Sequence, residues 1–350
     1  MSNDGTQMSN LNWNELSKLP DEDLLAIRIK DLPLKLEESD LWPSIQIVMT
    51  ELNSALPEFQ PYLFIGDEWF SPEGVAAVSI PFFLLHPRLR QLERTKVLEC
   101  EGEDDLEFKK LLRHELGHAL DHAFKLSRRR TWEKTFGSPQ KEYQPDTYRP
   151  RPYSRNYVLH LKRWYAQSHP DEDFAETFAV WLNPQSEWKA TYRKWGALKK
   201  LEYLETIGKE LRKKTFKQKS ARMISESRYL NSSLAVYYQK KIRYNEEDYP
   251  DFFDRDLLRI FSRKNPEEPK AELAFQFMKR TRKYLLSSLS LWTGEKKVTI
   301  NELLLRLIER CRELELIVSK SEAETASEVS AFLTTLVSHY LFTGHFRRTV

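Results

Sequence analysis

Two histidines and a glutamate lie close together in the segment R-H-E-L-G-H, residues 113–118. Apolar residues recur at helical spacing through residues 105–125, which predicts a helix there. His114 and His118 are four residues apart, so both imidazoles should lie on one face of that helix. Two neutral imidazoles at this spacing can bind one Zn²⁺ ion at roughly 2.0–2.1 Å each. Glu115, between them, is placed to take a proton from a metal-bound water and return it to a leaving group.

A zinc site of this kind needs a third protein ligand, which the motif itself does not supply. Three histidines on one straight helix would span roughly 12 Å along its axis, so His122 is expected to lie beyond the reach of the ion. A second helix, predicted over residues 168–182 from its cap-like start, offers Glu172 and Glu176 on one face. Spacing alone does not choose between these two carboxylates. The candidates that follow the motif are Asp121, His122, Asp171, Glu172, Asp173 and Glu176.

Small residues on both helices predict that the two helices pack closely. Gly117 lies inside the motif, although glycine in a helix interior costs about 1 kcal/mol relative to alanine. A glycine at this position is reasonable if another backbone approaches the motif helix there. Ala175 and Ala179 would allow the second helix to come near. Phe174, Phe178 and Trp181 can anchor its other side in the core.

The remaining elements indicate an α+β protein. Short β-branched and aromatic runs at residues 62–65 and 75–80 are typical of strands, separated by Gly- and Pro-containing turns. Helices are predicted over residues 24–36 and 41–56, and residues 128–156 are expected to form a long loop. Beyond residue 200 the patterns are helical without strand-like alternation. The predicted organisation is a flexible tail at 1–20, a catalytic domain at 21–195, a basic helical linker at 196–222 and an all-α domain of unassigned role at 223–350.

Composition and charge restrict the class of protein. About 40% of the residues are apolar and 31% are charged, which fits a folded globular chain and not a disordered one. The net charge of +3 gives no reason to expect specific nucleic-acid binding. Residues 193–222 are nevertheless rich in Lys and Arg, and form either a solvated helical face or a docking surface for an acidic partner. Without an apolar leader or an apolar run of membrane length, the expectation is a cytoplasmic protein with no membrane contact, and export by a leaderless route is the alternative.

Several segments together resemble known proteins. The helix sequence E-D-F-A-E-T-F-A, residues 172–179, resembles the glutamate helix of gluzincins related to anthrax lethal factor and the Pro-Pro endopeptidases. Residues 31–205 resemble bacterial proteins described as zinc-binding metallopeptidases. The segments that carry this second resemblance are D-E-W-F-S-P (67–72), H-P-R-L (86–89), R-H-E-L-G-H-A-L-D (113–121), Y-S-R-N-Y (153–157) and the stretch from W-Y-A-Q-S-H-P to A-V-W-L (164–182).

The resemblance implies a role for each residue of the motif region. It makes His114 and His118 zinc ligands and Glu115 the general base. The first glutamate of the E-x-x-A-E pattern, Glu172, becomes the third ligand, and Glu176 becomes the partner of a ligand histidine. A tyrosine seven residues before the ligand glutamate lines the site in those proteases. That position is Tyr165, which would stabilise the oxyanion unless it is simply a buried aromatic residue.

These implications predict a zincin-like catalytic domain with one zinc ion and a peptide or protein substrate. Residues 74–81 would be the edge strand of the sheet, with which an extended peptide pairs. Two alternatives remain open at this point. One is a catalytically idle fold of the same kind that serves as a binding or regulatory module, although a purely structural zinc site has no need of Glu115. The other is a metal-dependent hydrolase that acts on a non-peptide bond.

Overall fold

The computed structural model describes residues 11–143, 148, 150–214, 226–243, 253–263 and 271–343. Over these ranges the chain is mostly helical, and a small two-stranded parallel sheet makes it an α+β protein. The chain divides into two compact units, Met1–Lys96 with Cys100–Gln239, and Val97–Glu99 with Lys240–Val350. No helix in the described ranges combines the length and the apolar character needed to cross a membrane.

The first unit contains the sheet and all of the candidate site residues. In chain order its elements are α1 (Trp13–Leu16), α2 (Asp21–Ala26), α3 (Trp42–Ala55), β1 (Tyr62–Gly66), β2 (Ala77–Pro81), α4 (Pro87–Val97), α5 (Asp105–Phe124), α6 (Arg130–Phe136), α7 (Pro170–Leu182), α8 (Trp188–Thr191), α9 (Leu198–Leu211) and α10 (Leu234–Arg243). The last residues of α4 and α10 extend past the limits of this unit.

Helix α5 carries the motif and forms where the sequence predicts. The side chain of Asp104 caps its first turn by accepting the backbone N–H groups of Leu106 and Glu107, at 3.0 and 3.1 Å. The helix ends at Lys125, which adopts the left-handed conformation with a φ of 51°. A bidentate ion pair from the buried Arg113 to Glu51 of α3, at 2.7 and 2.9 Å, fixes α5 against α3. The motif is therefore part of a rigid, capped element.

Helix α7 carries the candidate glutamates and also matches its prediction. His169 caps it, since the ring Nδ1 accepts the backbone N–H of Asp171 at 3.2 Å. Pro170 occupies the first turn, where its missing N–H costs nothing. The helix is buried along almost its whole length, including both glutamates, and it stops before Asn183 and Pro184. These local signals explain why its limits could be predicted.

The sheet consists of β1 and β2, paired in parallel with Tyr62 opposite Ala77. Strand β2 is an edge of this two-stranded sheet, as expected for residues 74–81, but the expectation that an extended peptide pairs with it is wrong. Strand β2 begins at Ala77, and every residue of it is buried. Its second side is also occupied, because the backbone N–H of Ser79 donates to the carbonyl of Phe70 at 2.8 Å. An extended peptide therefore cannot pair along this strand.

The N-terminal segment differs from its prediction. Within the expected tail of residues 1–20, residues 12–16 form a capped helical turn, and Leu16 is fully buried. The helix predicted over residues 24–36 is wrong, because α2 ends at Ala26 and Ile27 is extended. The carbonyl of Ile27 instead accepts the backbone N–H of Leu234 at 2.9 Å. This pairing attaches residues 226–239 to the first unit, whereas the sequence grouped them with the C-terminal domain.

The second unit is built around a helical core. Its elements are α11 (Asp254–Ile260), β3 (Ser262–Arg263), α12 (Ala274–Thr293), α13 (Lys297–Glu313), β4 (Leu316–Ile317) and α14 (Glu322–Thr343). Buried leucines, isoleucines and phenylalanines of the helices form one apolar cluster, which includes Phe277, Leu285, Ile300, Leu304 and Leu333. The expected absence of strands beyond residue 200 is wrong, since β3 and β4 pair in antiparallel fashion. Strands of two residues are too short to show alternation in the sequence.

Candidate metal centre

The crossing of α5 and α7 brings the two halves of the candidate site together. A Cβ atom at Gly117 would lie 2.9 Å from the Cα atom of Ala175 and 3.2 Å from its carbonyl oxygen. Glycine at this position therefore allows the two backbones to touch, as the small residues predict. The contact lies between His114 and His118 on one helix and between Glu172 and Glu176 on the other. Both pairs consequently face one another across the crossing.

Three side chains converge on one point. The Oε2 atom of Glu172 lies 3.0 Å from Nε2 of His114 and 3.2 Å from Nε2 of His118. The two Nε2 atoms are 3.1 Å apart. A tetrahedral zinc ion with ligands at roughly 2.0–2.1 Å would hold its ligand atoms roughly 3.3–3.4 Å from one another. Two imidazoles and a carboxylate in this arrangement fit such an ion, and they form the one group of metal-type ligands found among the described residues.

Glu176 lies on the other side of His114. Its Oε1 atom is 3.0 Å from Nδ1 of His114, and its Oε2 atom accepts the backbone N–H of Leu161 at 2.9 Å. Glu176 is 1% exposed, so this carboxylate has no competing contact with water. A carboxylate at Nδ1 favours the proton on that nitrogen and leaves the Nε2 lone pair directed towards Glu172. The geometry thus distinguishes the two glutamates that spacing alone did not.

The other acidic and histidine candidates have partners of their own. Asp121 accepts the backbone N–H of Ser127 at 2.6 Å and its hydroxyl at 2.8 Å at the end of α5. His122 bonds through Nδ1 to the hydroxyl of Ser71 at 3.2 Å, and its ring centroid is 6.4 Å from that of His118. The backbone N–H of Asp171 donates to His169 Nδ1 at the start of α7, and Asp173 pairs with Lys200 at 2.6 Å. The structure does not bring these four to the convergence point.

The histidines and glutamates of this site shift one another's pKa values. Burial alone would lower the pKa of His114, but its hydrogen bonds with Glu172 and Glu176 raise that pKa well above the ordinary value. Burial also opposes the charged form of His118, yet the Glu172 charge raises its pKa. Burial would raise the pKa of Glu172, but the two histidines hold it well below its usual range. The site therefore stabilises positive charge, which a cation can supply in place of protons.

Glu115 is almost fully buried next to the two histidines, with 7% of its surface exposed. Burial raises the pKa of this carboxyl, and the nearby charges of His118 and His114 oppose that rise. A carboxylate with an increased affinity for protons, held beside a metal site, is chemically suited to proton transfer.

Tyr165 faces the site from a 3-10 helix, Lys162–Gln167, that runs into α7. Its ring centroid lies 5.8 Å from that of His114. Burial, followed by the negative charge of Glu172, raises the pKa of its phenol, so the hydroxyl stays protonated at neutral pH. The ring is therefore beside the converging ligands.

A second phenol, from Tyr143, reaches the same place and was not identified from the sequence. The Tyr143 hydroxyl is 2.8 Å from that of Tyr165. Burial, followed by the charge of Glu172, raises the pKa of Tyr143 too. Its only signal in the sequence is an aromatic residue inside a long, proline-containing loop, a class of segment that often carries function. Nothing in its spacing relates it to α5 or α7.

Comparison with known proteins identifies the segment that contains this site. Residues 108–239 match the model of the family described as "Putative zinc-binding metallo-peptidase". No curated protein and no solved structure matches the chain. The matched segment extends past the resemblance seen in the sequence and ends, like the first unit, at Gln239. The match covers a little more than a third of the chain, and that third carries His114, His118 and Glu172.

Proposed function

We propose that the chain is a zinc-dependent metallopeptidase of the gluzincin type, with His114, His118 and Glu172 holding one zinc ion. One observation carries this proposal. A single carboxylate oxygen of Glu172 lies 3.0 and 3.2 Å from the Nε2 atoms of both motif histidines. Two imidazoles and one carboxylate leave a fourth position for water or substrate, as in catalytic zinc sites. Glu176 supports this ligand set because its carboxylate lies at Nδ1 of His114 and orients the ring. Carboxylates that bond to the second nitrogen of a ligand histidine commonly have this role.

Glu115 is the proposed general base. A zinc ion held by the three ligands would act as a Lewis acid and lower the pKa of water in its fourth position. The Glu115 carboxylate, fixed on α5 between the ligand histidines, takes a proton from the attacking water and gives it to the leaving amine. Its burial raises its pKa and so strengthens its hold on that proton between the two transfers.

Tyr165 is the proposed oxyanion stabiliser. Its phenol stays protonated beside Glu172, so it can donate a hydrogen bond when negative charge develops on the carbonyl oxygen of the substrate. The 3-10 helix that carries it leads directly into α7, which couples its position to that of Glu172. This placement favours a role in the site over that of a purely packing aromatic.

The match of residues 108–239 to a peptidase family favours a peptide substrate. An acidic partner remains a further proposal for the basic segment, and within the described residues its support comes from the exposed Arg193, Lys194, Lys199, Lys209, Arg212 and Lys213. Lys200 cannot contribute, because its ammonium group lies 2.6 Å from the buried Asp173. Residues 215–222 of that segment lie outside the described ranges.

Metal analysis combined with hydrolysis assays tests the proposed function. The purified full-length chain should bind one equivalent of zinc and should cleave denatured casein in a reaction that a chelator stops and added zinc restores. A panel of nitrophenyl esters, run in parallel, detects hydrolysis of a non-peptide bond. Zinc binding without cleavage of either substrate class would favour an idle binding module. Ester hydrolysis without proteolysis would favour the non-peptide hydrolase.

A further inference from the structure

Tyr143 is attached to the candidate site by a second residue, His169. The ring Nε2 of His169 donates to the carbonyl of Lys141 at 2.7 Å, while its Nδ1 accepts the N–H of Asp171. One neutral tautomer therefore satisfies both bonds. The His169 ring also stands perpendicular to the Tyr143 ring, with centroids 5.5 Å apart. The residue that caps the Glu172 helix thus also holds the segment that carries Tyr143.

Tyr143 is partly exposed to solvent, but its hydroxyl lies at the candidate site. Its residue surface is 48% exposed, yet its hydroxyl lies 2.8 Å from that of Tyr165, next to the converging ligands. A packing role would not require this hydroxyl. The phenol pair is therefore a feature of the site that the ligand set and the general base do not explain.

Two hydroxyl groups at this distance share one hydrogen, and the Tyr143 hydroxyl also has the Glu172 carboxylate as an acceptor, so the direction of donation matters. If Tyr165 donates to Tyr143, its own hydrogen is occupied and cannot reach an oxyanion. If Tyr143 donates, the hydrogen of Tyr165 is free, and its oxygen is polarised by the bond that it accepts. An accepted bond of this kind makes the Tyr165 hydroxyl a stronger donor. Only the second arrangement allows Tyr165 to perform its proposed role.

On the basis of the proposed function, we infer that Tyr143 is a positioning residue that donates its hydroxyl hydrogen to the Tyr165 oxygen. The bond directs the Tyr165 hydrogen towards the oxyanion. Tyr143 therefore acts through Tyr165, and its effect disappears when Tyr165 lacks its hydroxyl.

The affinity of the zinc-loaded full-length chain for acetohydroxamate, measured by calorimetry, tests this role. Acetohydroxamate chelates zinc and presents a carbonyl oxygen where the oxyanion would form. Tyr165→Phe should weaken its binding by about tenfold, the size expected for a hydrogen bond to a charged group. Tyr143→Phe should weaken it by several-fold, and the double variant should bind no more weakly than Tyr165→Phe alone. Tyr153→Phe, at a residue 85% exposed, is the matched control and should bind as the wild type does.

Two results would overturn the inference. In the first, Tyr143→Phe binds acetohydroxamate like the control, or the two single effects multiply in the double variant. In the second, Tyr143→Phe loses zinc, which would mean that the phenol acts on Glu172 and not on Tyr165. Zinc content and thermal unfolding of Tyr143→Phe should match those of the wild type, because phenylalanine keeps the ring contact with His169.

Acetohydroxamate binding requires zinc and the phenols but no peptide turnover, so it separates this inference from the proposed function. A wild-type chain that binds zinc and acetohydroxamate but cleaves no peptide would refute the peptidase, and the affinity pattern would still decide the role of Tyr143. With an active enzyme, Tyr143→Phe should lower kcat and leave KM nearly unchanged, as expected for a group that acts on the transition state.

Discussion

Gly117 and Ala175 touch through their backbones where α5 crosses α7, because a Cβ atom at position 117 would lie 2.9 Å from the Ala175 Cα. The contact determines how far apart the two helices lie. It therefore also sets the 3.0 Å separation between Nε2 of His114 and Oε2 of Glu172. Gly117 has no functional side chain, yet it controls the distance between His114 and Glu172.

Substitution Gly117→Ala should destabilise the protein, although alanine is the better helix former. Relief of the overlap with Ala175 should cost about 1–3 kcal/mol, partly offset by the ~1 kcal/mol gained from helix propensity. Zinc affinity should fall as well, since α7 must move away. Urea unfolding of the zinc-free and zinc-loaded forms measures both effects. Adding Ala175→Gly should not restore stability, because the overlap involves the Ala175 backbone. A Gly117→Ala variant more stable than wild type would contradict the close crossing.

The two glutamates of α7 should differ in their effect on metal affinity. Glu172→Ala removes the proposed third zinc ligand, whereas Glu176→Ala removes only the partner of His114 Nδ1. The second change should cost about 10–100-fold in zinc affinity, and the first should cost more. Competition with a chelator of known affinity measures both variants under one condition. If Glu172→Ala keeps zinc under conditions in which Glu176→Ala loses it, Glu176 would be the ligand, and the assignment made here would be wrong.

Zinc affinity should rise with pH through the neutral range. Glu172 holds the pKa values of His114 and His118 above the ordinary 6.5, so protons compete with zinc even above that pH. Metal binding displaces these protons, which should strengthen affinity by about tenfold per pH unit for each proton released. Chelator competition between pH 6 and 8, corrected for chelator protonation, measures the slope.

His122→Ala provides the control for this titration. Burial lowers the pKa of His122 and its ring lies away from the convergence point, so its removal should leave the slope unchanged. A wild-type affinity that stays flat between pH 6 and 8 would show that the histidines carry no exchangeable protons there.

Truncation should show where the zinc-binding unit ends. A chain ending at Arg243, the last residue of α10, should fold and bind zinc, whereas a chain ending at Arg222 should be less stable. The shorter chain lacks the buried Leu234, whose burial alone contributes about 1.5–3 kcal/mol. It also lacks the bond from the Tyr237 hydroxyl to the Asp67 carbonyl at 3.1 Å. Urea midpoints and zinc content compare the two chains, and equal stability would place residues 226–239 outside the unit.

The sequence predicts the parts of this site that local signals determine. The limits of α5 follow from the apolar period through residues 105–125, and the start of α7 follows from its cap-like residues and Pro170, all of which act within a few residues. The motif histidines share a face because their spacing matches one helical turn. Gly117 even indicates the close crossing, since no local reason favours glycine inside a helix.

The remaining features depend on contacts between distant segments. Whether Glu172 or Glu176 meets the Nε2 atoms depends on the angle at which α7 crosses α5, which spacing within one helix does not determine. The early end of α2 follows from pairing of Ile27 with Leu234, more than two hundred residues away. Tyr143 reaches Tyr165 through the path of a loop, and loops carry no periodic signal.

Identification of new protein N-termini after treatment with the zinc-loaded chain tests the central claim most directly. The wild type, Glu115→Gln and the exposed-site control Glu133→Gln would each be incubated with a denatured proteome under the same conditions. The account predicts new N-termini with the wild type and Glu133→Gln. It predicts at least a ~10²–10⁴-fold loss of cleavage with Glu115→Gln, which cannot accept the proton but should keep its zinc. Cleavage by zinc-loaded Glu115→Gln within a few-fold of the wild type would contradict the account.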